Sequence, residues 1–352
     1  MPTEIYKLDT KGKTRIWSQE REGSRYRTNA GILGGTMVTS GWTECIGKQG
    51  RNDYEQAAFE VAANYQNKLT REYHSSLDDI GGGAHFFKPM LAQTYEAAKF
   101  QRGYGQAKLD GMRCIATKDG LFSRQGKPIV SVPHISNALK HTFKVHPDLV
   151  IDGEIYSHEL REDFGQLMSL ARQTKPTAED LAKSATLEYH VYDLPTGSDF
   201  SERLDLMEFL IVPSTGPIKL VPTQAIGTPD DYDDFHAECL AAGYEGSVFR
   251  LDQPYEQKRS KSLLKRKEFL TEEFPIFSID AGLGNWSGVA KSVTCRLPDG
   301  RTFGAGIKGT KERAASLLGE SWDQATIRFF EYTPDGVPRF PVVIDFHNGR
   351  TD

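Results

Sequence analysis

Three consecutive glycines within residues 75–84, Ser-Ser-Leu-Asp-Asp-Ile-Gly-Gly-Gly-Ala, divide this chain. Neither a helical nor a strand period survives such a run, because glycine loses the most backbone entropy on folding and offers no side chain to a core. The segment reads as a linker. At roughly 150 residues per domain, a chain of 352 residues is then expected to form two or three folded bodies.

Upstream of the break, residues 4–17 alternate apolar and polar side chains as one strand would, residues 31–35 supply a turn, and residues 37–46 read as another strand. A helix is expected over residues 54–72, capped by Asn52 or Asp53, with Ala57, Phe59, Val61, Ala62 and Tyr65 at helical spacing. Downstream, strand-like runs recur at residues 105–109, 112–116, 149–155, 187–194, 246–251 and 262–269 and alternate with helical stretches at 163–172 and 231–242. That alternation predicts a mixed α/β body. After Glu273 the pattern changes to short strands, with turns at 281–288, 298–300 and 333–336 and one helical stretch at 311–318, as in a small closed barrel.

Several classes of molecule are disfavoured by composition. No run of about 18 apolar residues occurs, so no membrane-spanning helix is expected, and the first 26 residues lack the apolar core of a signal peptide. A soluble, cytoplasmic protein follows, in the host cytoplasm if the gene is carried by a phage. Cys45, Cys114, Cys239 and Cys295 lie far apart with no C-x-x-C pair, which suggests neither a zinc finger nor a disulfide framework. The net charge of −5 argues against a histone-like polycation, so any nucleic-acid surface has to be local.

The segment Gln106-Ala107-Lys108-Leu109-Asp110-Gly111-Met112-Arg113 places a lysine at the end of a strand-like run, before a tight Asp-Gly turn. An amine attacks only when unprotonated, so a nucleophilic lysine needs desolvation or neighbouring cations, and Arg113 is a first candidate. A surface hairpin is the plainer reading of the same residues. An ordered series lies behind it. Asp152-Gly153-Glu154 follows the apolar run Leu149-Val150-Ile151, and Glu245-Gly246-Ser247-Val248 precedes Phe249 and Arg250. Glu154 and Glu245 are candidate supports for a divalent cation, since Mg²⁺ takes one or two carboxylates plus phosphates. Lys265 and Lys267, two residues apart on a strand, point the same way and suit a triphosphate; lysines defending an edge strand would look alike.

Taken together these motifs resemble the covalent nucleotidyltransferase superfamily, and within it the compact, phage-type ATP-dependent DNA ligases. Residues 87–269 carry K-x-D-G-x-R at Lys108 to Arg113, Ser123-Arg124 within FSRQGKPI, D-G-E ending at Glu154, Tyr192-Asp193, E-G-x-V from Glu245, and Lys265-Arg266-Lys267. The implied fold class is α+β: an ATP-grasp-like adenylation domain over 85–271, a C-terminal OB-fold β-barrel over 272–352, and a small β-rich N-terminal module over 1–78. The resemblance implies that Lys108 attacks the α-phosphate of ATP, with Lys265 and Lys267 neutralising that phosphate. It further implies that Arg113 and Glu154 meet the ribose, Tyr192 stacks on adenine, Gln106 reads the base edge and Glu154 and Glu245 support the metal. Arg124 would meet the 5′-phosphate or the AMP phosphate. The segment Val337-Pro338-Arg339-Phe340-Pro341 resembles the last family motif, which assigns Arg339 to the leaving pyrophosphate.

The implied cofactors are ATP and Mg²⁺, with Mn²⁺ as the other candidate ion. The implied partner is nicked duplex DNA, bound by a monomer away from any membrane. In the C-terminal region Lys291, Arg296, Arg301, Lys308 and Lys311 are candidate phosphate contacts. The N-terminal module faintly resembles a WGR-type module, with Arg21, Arg25, Arg27, Lys48 and Arg51 suited to a DNA backbone or, alternatively, to a protein partner. Other readings are an RNA ligase or mRNA-capping guanylyltransferase, which share the lysine motif, and a noncatalytic DNA-binding protein on the same scaffold.

Overall fold

The computed structural model describes residues 4–9, 11–80, 86–211 and 216–349, so residues 81–84 of the expected linker lie outside the described residues. The chain forms two compact units, Phe86–Glu268 on its own and Met1–His85 together with Phe269–Asp352.

In the second of these, residues 4–17 are a hairpin rather than one strand: Ile5–Leu8 pairs antiparallel with Thr14–Glu22. The turn between them is made by Asp9, whose carboxylate accepts the N–H groups of Lys11 and Lys13 at 2.9 Å, and by Gly12 at φ +74°. An aspartate and a glycine three residues apart are turn residues, and the alternating pattern runs on across them. The sheet continues through Arg25–Ile32, a strand the sequence reading missed. Residues 37–46 pair with it in two pieces, Met37–Thr39 and Thr43–Glu44. The helix Asp53–Leu69 starts at a reciprocal cap, in which Asn52 accepts from the Glu55 N–H and Glu55 accepts from the Asn52 N–H. Behind it, Ile5, Trp17 and Tyr73 form a small core with Tyr65 and Leu69.

The C-terminal segment is a five-stranded sheet whose pairing closes on itself in the order Leu270–Ala281, Ala290–Arg296, Thr302–Ile307, Val342–His347, Gln324–Phe329. It begins at Leu270, a few residues before the change in pattern after Glu273. Phe274, Val293, Cys295, Phe303, Ile327 and Phe329 fill its interior.

Phe86–Glu268 contains two five-stranded sheets. One runs Ile218–Leu220, Glu188–Asp193, Ile151–Tyr156, Met112–Thr117, Gly120–Ser123. The other runs Thr223–Ile226, Gly103–Lys108, Gly246–Leu251, Arg259–Arg266, Leu91–Thr94. The main core packs the first sheet against the helices Pro133–Val145, Phe164–Ala171 and Phe200–Leu210 through Ile115, Ile135, Leu139, Ile151, Leu167, Tyr189 and Phe200. The second sheet is backed by the helix Pro229–Ala241, with Tyr232 and Phe249 buried between them. Pro133–Val145 and Phe200–Leu210 escape the sequence reading, the first because its start at Val132 makes no side-chain cap hydrogen bond.

Antiparallel partners directly opposite one another point to the same face. Gln106 lies opposite Val248, which lies opposite Lys265, and Lys108 lies opposite Gly246. That register assigns Gln106, Lys108 and Lys265 to one face of the second sheet. Ser247, between Ala107 and Arg266, points to the other, where its hydroxyl meets His236 and Tyr232 at 2.9 Å each.

His236 is only 3 % exposed, and burial holds its imidazole below the ordinary histidine value despite the hydrogen bond it shares with Glu268. The unfolded chain therefore binds more protons here than the folded one, so this contribution to stability is intact above roughly pH 6.5 and is lost as pH falls through the lower folded-state value. Thermal melts between pH 8 and pH 5 should show a smaller acid-side loss in His236→Gln than in the parent; equal losses would remove His236 as a source of acid sensitivity.

Candidate active site

Lys108 ends the strand Gly103–Lys108, and its ammonium is bound by Glu245 Oε2. Lys267 donates to the other oxygen, Oε1, at 3.0 Å. Glu245 sits at the turn into Gly246–Leu251, and its backbone N–H donates to the Lys108 carbonyl at 3.2 Å. Gly246 follows at φ +146°, where a Cβ would lie 2.3 Å from the Arg266 carbonyl oxygen. Only glycine allows the strands to approach this closely. Burial opposes ionisation of Glu245, but Lys108 and Lys267 outweigh it and hold its carboxyl below the usual range. Lys265 is pushed the other way: burial, then repulsion from Lys108 and Lys267, lowers its ammonium. The strand ends at Arg266, so Lys267 lies one residue beyond it, yet it reaches the same carboxylate as Lys108.

The facing sheet contributes Arg113, Asp152, Glu154 and Tyr192. Arg113 lies opposite Glu154 in the register of Met112–Thr117 with Ile151–Tyr156. Its guanidinium grips the fully buried Asp152 by Nε to Oδ1 at 2.8 Å and Nη2 to Oδ2 at 2.5 Å. Glu154 accepts from the Tyr192 hydroxyl at 3.3 Å. Burial pushes the Glu154 carboxyl up to about 8 against the pull of Arg113 and Lys108.

Beneath these groups lies a network the sequence reading did not assign. Asp193, 0 % exposed, accepts Arg203 Nε at 2.7 Å on one oxygen and Arg250 Nη1 at 2.6 Å on the other. Arg250 also donates from Nε to Gln106 Oε1 at 2.6 Å, and Gln106 Nε2 donates to the Tyr192 carbonyl at 3.2 Å and to Thr223 Oγ1 at 2.9 Å. Gln106 is 1 % exposed, with its amide engaged by three protein groups. In this arrangement the Gln106 amide, expected to face a base edge, ties the Tyr192 backbone to Thr223 and Arg250. The Tyr192 ring has the Arg113 and Arg250 guanidiniums 5.3 and 5.5 Å from its centroid. The visible signal was an arginine inside the apolar strand run Gly246–Leu251, where a charge must have a buried partner.

A family model described as ATP dependent DNA ligase domain matches residues 89–267, more than half of the chain. The chain belongs to the ATP-dependent DNA ligase family. A DNA ligase from Haemophilus influenzae is 26 % identical over 255 residues, covering 71 % of this chain and 89 % of the relative. DNA ligase 1 of Korarchaeum cryptofilum is 28 % identical over 218 residues, covering 56 % of this chain and 39 % of that protein. Among solved structures, one from a structure–function study of Lig E DNA ligases covers 74 % of this chain and 99 % of its own, with a TM-score of 0.64 and 21 % identity, a likeness of fold.

The ligase's remaining expected site residues are Arg124 and Arg339. Arg124 follows the strand Gly120–Ser123 and is exposed, with no hydrogen bond or ion pair among the described residues. Arg339 lies in the unit that contains the closed sheet, 8 % exposed, paired with Glu331 and flanked by Phe330 and Phe340. Among the described residues no group of three or more His, Cys, Asp or Glu side chains could hold a metal. The donor chemistry nonetheless fits a hard divalent cation: Glu245 binds Lys108 directly and Glu154 lies close enough to feel its charge, so two carboxylates would serve alongside phosphate oxygens once Glu245 is released from a lysine.

Asp193 separates two arginines whose side chains are 2 % and 5 % exposed. Removing one member of a buried charge network leaves the others uncompensated, which costs about 3–5 kcal/mol. Asp193→Ala is therefore expected to lower the unfolding free energy obtained from urea melts by that order; a change below about 1 kcal/mol would contradict a buried, unhydrated network.

Proposed function

We propose that Lys108 is the residue this DNA ligase adenylylates. The observation that carries the reading is the shared carboxylate: Glu245 holds Lys108 and Lys267 together on its two oxygens, with the Lys265 ammonium close enough to feel both. Lys108 Nζ first passes its ammonium proton to water by way of the Glu245 carboxylate that binds it, then attacks the α-phosphorus of ATP; a P–N bond forms as the α–β P–O bond breaks, pyrophosphate leaves, and the second Nζ proton is released to water. Lys265 and Lys267 meet the negative charge that builds on the phosphate oxygens, fixed donors acting where charge develops. AMP then passes from Lys108 to the 5′-phosphate of a nick, and the 3′-hydroxyl displaces AMP to seal the strand.

Arg113 offers its remaining edge to the ribose, and Tyr192 presents its ring to adenine. Arg124, exposed and unpaired among the described residues, suits a phosphate at the nick. Arg339 is assigned to pyrophosphate only in a state in which its pairing with Glu331 opens. Glu154 and Glu245 would hold Mg²⁺ or Mn²⁺, which when bound supplies positive charge to the phosphates. The ion requires Glu154 ionised, so the concentration of Mg²⁺ needed for self-adenylylation should fall as pH rises from 6.5 toward 8.5. Glu154→Gln should abolish that pH dependence; a parent enzyme with a flat metal requirement would refute the role.

The closed five-stranded sheet supports an OB-fold reading for residues 272–352, lying along duplex DNA as such barrels do. In residues 1–78, Arg25 and Arg27 lie 4.6 and 4.5 Å from the Trp42 centroid, and Arg21 and Arg51 each lie 4.2 Å from Tyr54 and Phe59. Guanidiniums backed by aromatic rings suit a phosphate backbone, although Glu20 and Glu22 pair with Arg27 and Arg25 and temper the charge. The enzyme is read as a monomer acting on nicked duplex.

The test is incubation of the purified chain with labelled ATP and Mg²⁺, followed by denaturing electrophoresis and peptide mapping. Label is expected on Lys108 and is expected to vanish in Lys108→Ala while the melting temperature stays within a few degrees of the parent. Label persisting in Lys108→Ala would overturn the assignment.

A further inference from the structure

We propose that Tyr255 is a positioning residue of the nucleotide site, acting through Asp152 to fix the edge of Arg113 that faces ATP. The inference rests on the reading that Arg113 binds the nucleotide. Tyr255 belongs to none of the motifs of the site; it lies in the loop between the strands Gly246–Leu251 and Arg259–Arg266.

Its hydroxyl bridges two partners. It accepts the Met90 N–H at 2.8 Å and donates to Asp152 Oδ2 at 2.6 Å, while the ring packs on Phe87 with centroids 6.0 Å apart. Asp152 thereby takes three donors: Nε and Nη2 of Arg113 and the Tyr255 hydroxyl. A fully buried carboxylate tied at three points cannot swing about its Cβ–Cγ bond without abandoning a charge-assisted hydrogen bond. The planar guanidinium forked onto it is held in the same plane. Nη1 is left over. It makes no hydrogen bond among the described residues, and the Arg113 side chain keeps 18 % of its surface exposed, beside the Tyr192 ring at 5.3 Å. Tyr255 thus sets the direction of an unspent, partly open donor edge without touching the ligand itself.

Tyr255→Phe keeps the ring on Phe87 and removes only the hydroxyl. In self-adenylylation by the full chain, with ATP and Mg²⁺ as the probes, this variant should raise the ATP concentration for half-maximal rate about tenfold, the worth of one hydrogen bond to a charged group. The maximal rate should change less. A role confined to stability would lower the fraction of active enzyme, and hence the maximal rate, and leave half-saturation where it was. Acting through Arg113 adds a second signature: in an Arg113→Lys background, which has lost the fork, Tyr255→Phe should add less than about twofold.

An unchanged half-saturation in Tyr255→Phe overturns the proposal, as does a tenfold effect that persists in Arg113→Lys. If Arg113→Lys alone leaves half-saturation unchanged, the nucleotide role of Arg113 fails, and this proposal falls with it by a separate route. Should Tyr255→Phe fail to melt cooperatively, Asp152→Asn carries the same test, with the same rise expected and an unchanged value overturning.

Discussion

Asp193 is the point on which the nucleotide-binding unit turns. It belongs to one sheet, Arg250 belongs to the other, and the 2.6 Å hydrogen bond between them is buried on both sides. Arg203, from the helix Phe200–Leu210, takes the second carboxylate oxygen and also donates to the Gln253 carbonyl at 2.9 Å, so a helix, two sheets and a loop converge on one charge. Such a network contributes little net stability compared with apolar packing of the same volume, but loss of any one member leaves a buried charge uncompensated. Lys108, Arg113, Glu154, Tyr192, Lys265 and Lys267 all stand on strands or strand ends of the two sheets that this network joins.

The lysines follow the same logic at smaller scale. Three ammonium groups crowd one end of the second sheet, which would be repulsive without Glu245, and Glu245 would be costly to bury without them. The result is a set of cations held together by one carboxylate, which under the proposed mechanism leaves little reorganisation for phosphate binding. Glu154, on the facing sheet, is the counterpart: its carboxyl is pushed up to about 8 by burial, against the pull of Arg113 and Lys108. The matched family model is that of DNA ligases, and neither the RNA-ligase and guanylyltransferase readings nor a noncatalytic scaffold finds a favouring observation in this geometry.

Much of the architecture is legible where periodicity is clean. The strand Gly246–Leu251 and the helix Asp53–Leu69 with its Asn52 cap stand close to where their patterns indicate. Hairpins were harder, because alternation does not stop at a tight turn: residues 4–17 read as one strand until the Asp9 turn is known. Gln106 shows the other limit. A polar side chain two residues before Lys108 on a strand reads equally as a base reader or a buried anchor on sequence alone, and only the tertiary structure shows Arg250, Thr223 and the Tyr192 carbonyl around its amide.

Sequence alone supplied the groups from which a site is read: an amine at a strand end, two carboxylates beside glycines and paired lysines, in an order that resembles the ligase family's. Local spacing suffices for that, because turn residues and strand alternation fix which atoms can share a face. Tertiary structure decided which of those atoms are spent on one another. Asp152 on Arg113 and Tyr255, Glu245 on Lys108 and Lys267, and Asp193 on two arginines are pairings between residues up to more than a hundred positions apart. They form because a buried charge must find its partner within hydrogen-bond reach, and that search runs through space, where sequence distance carries no weight.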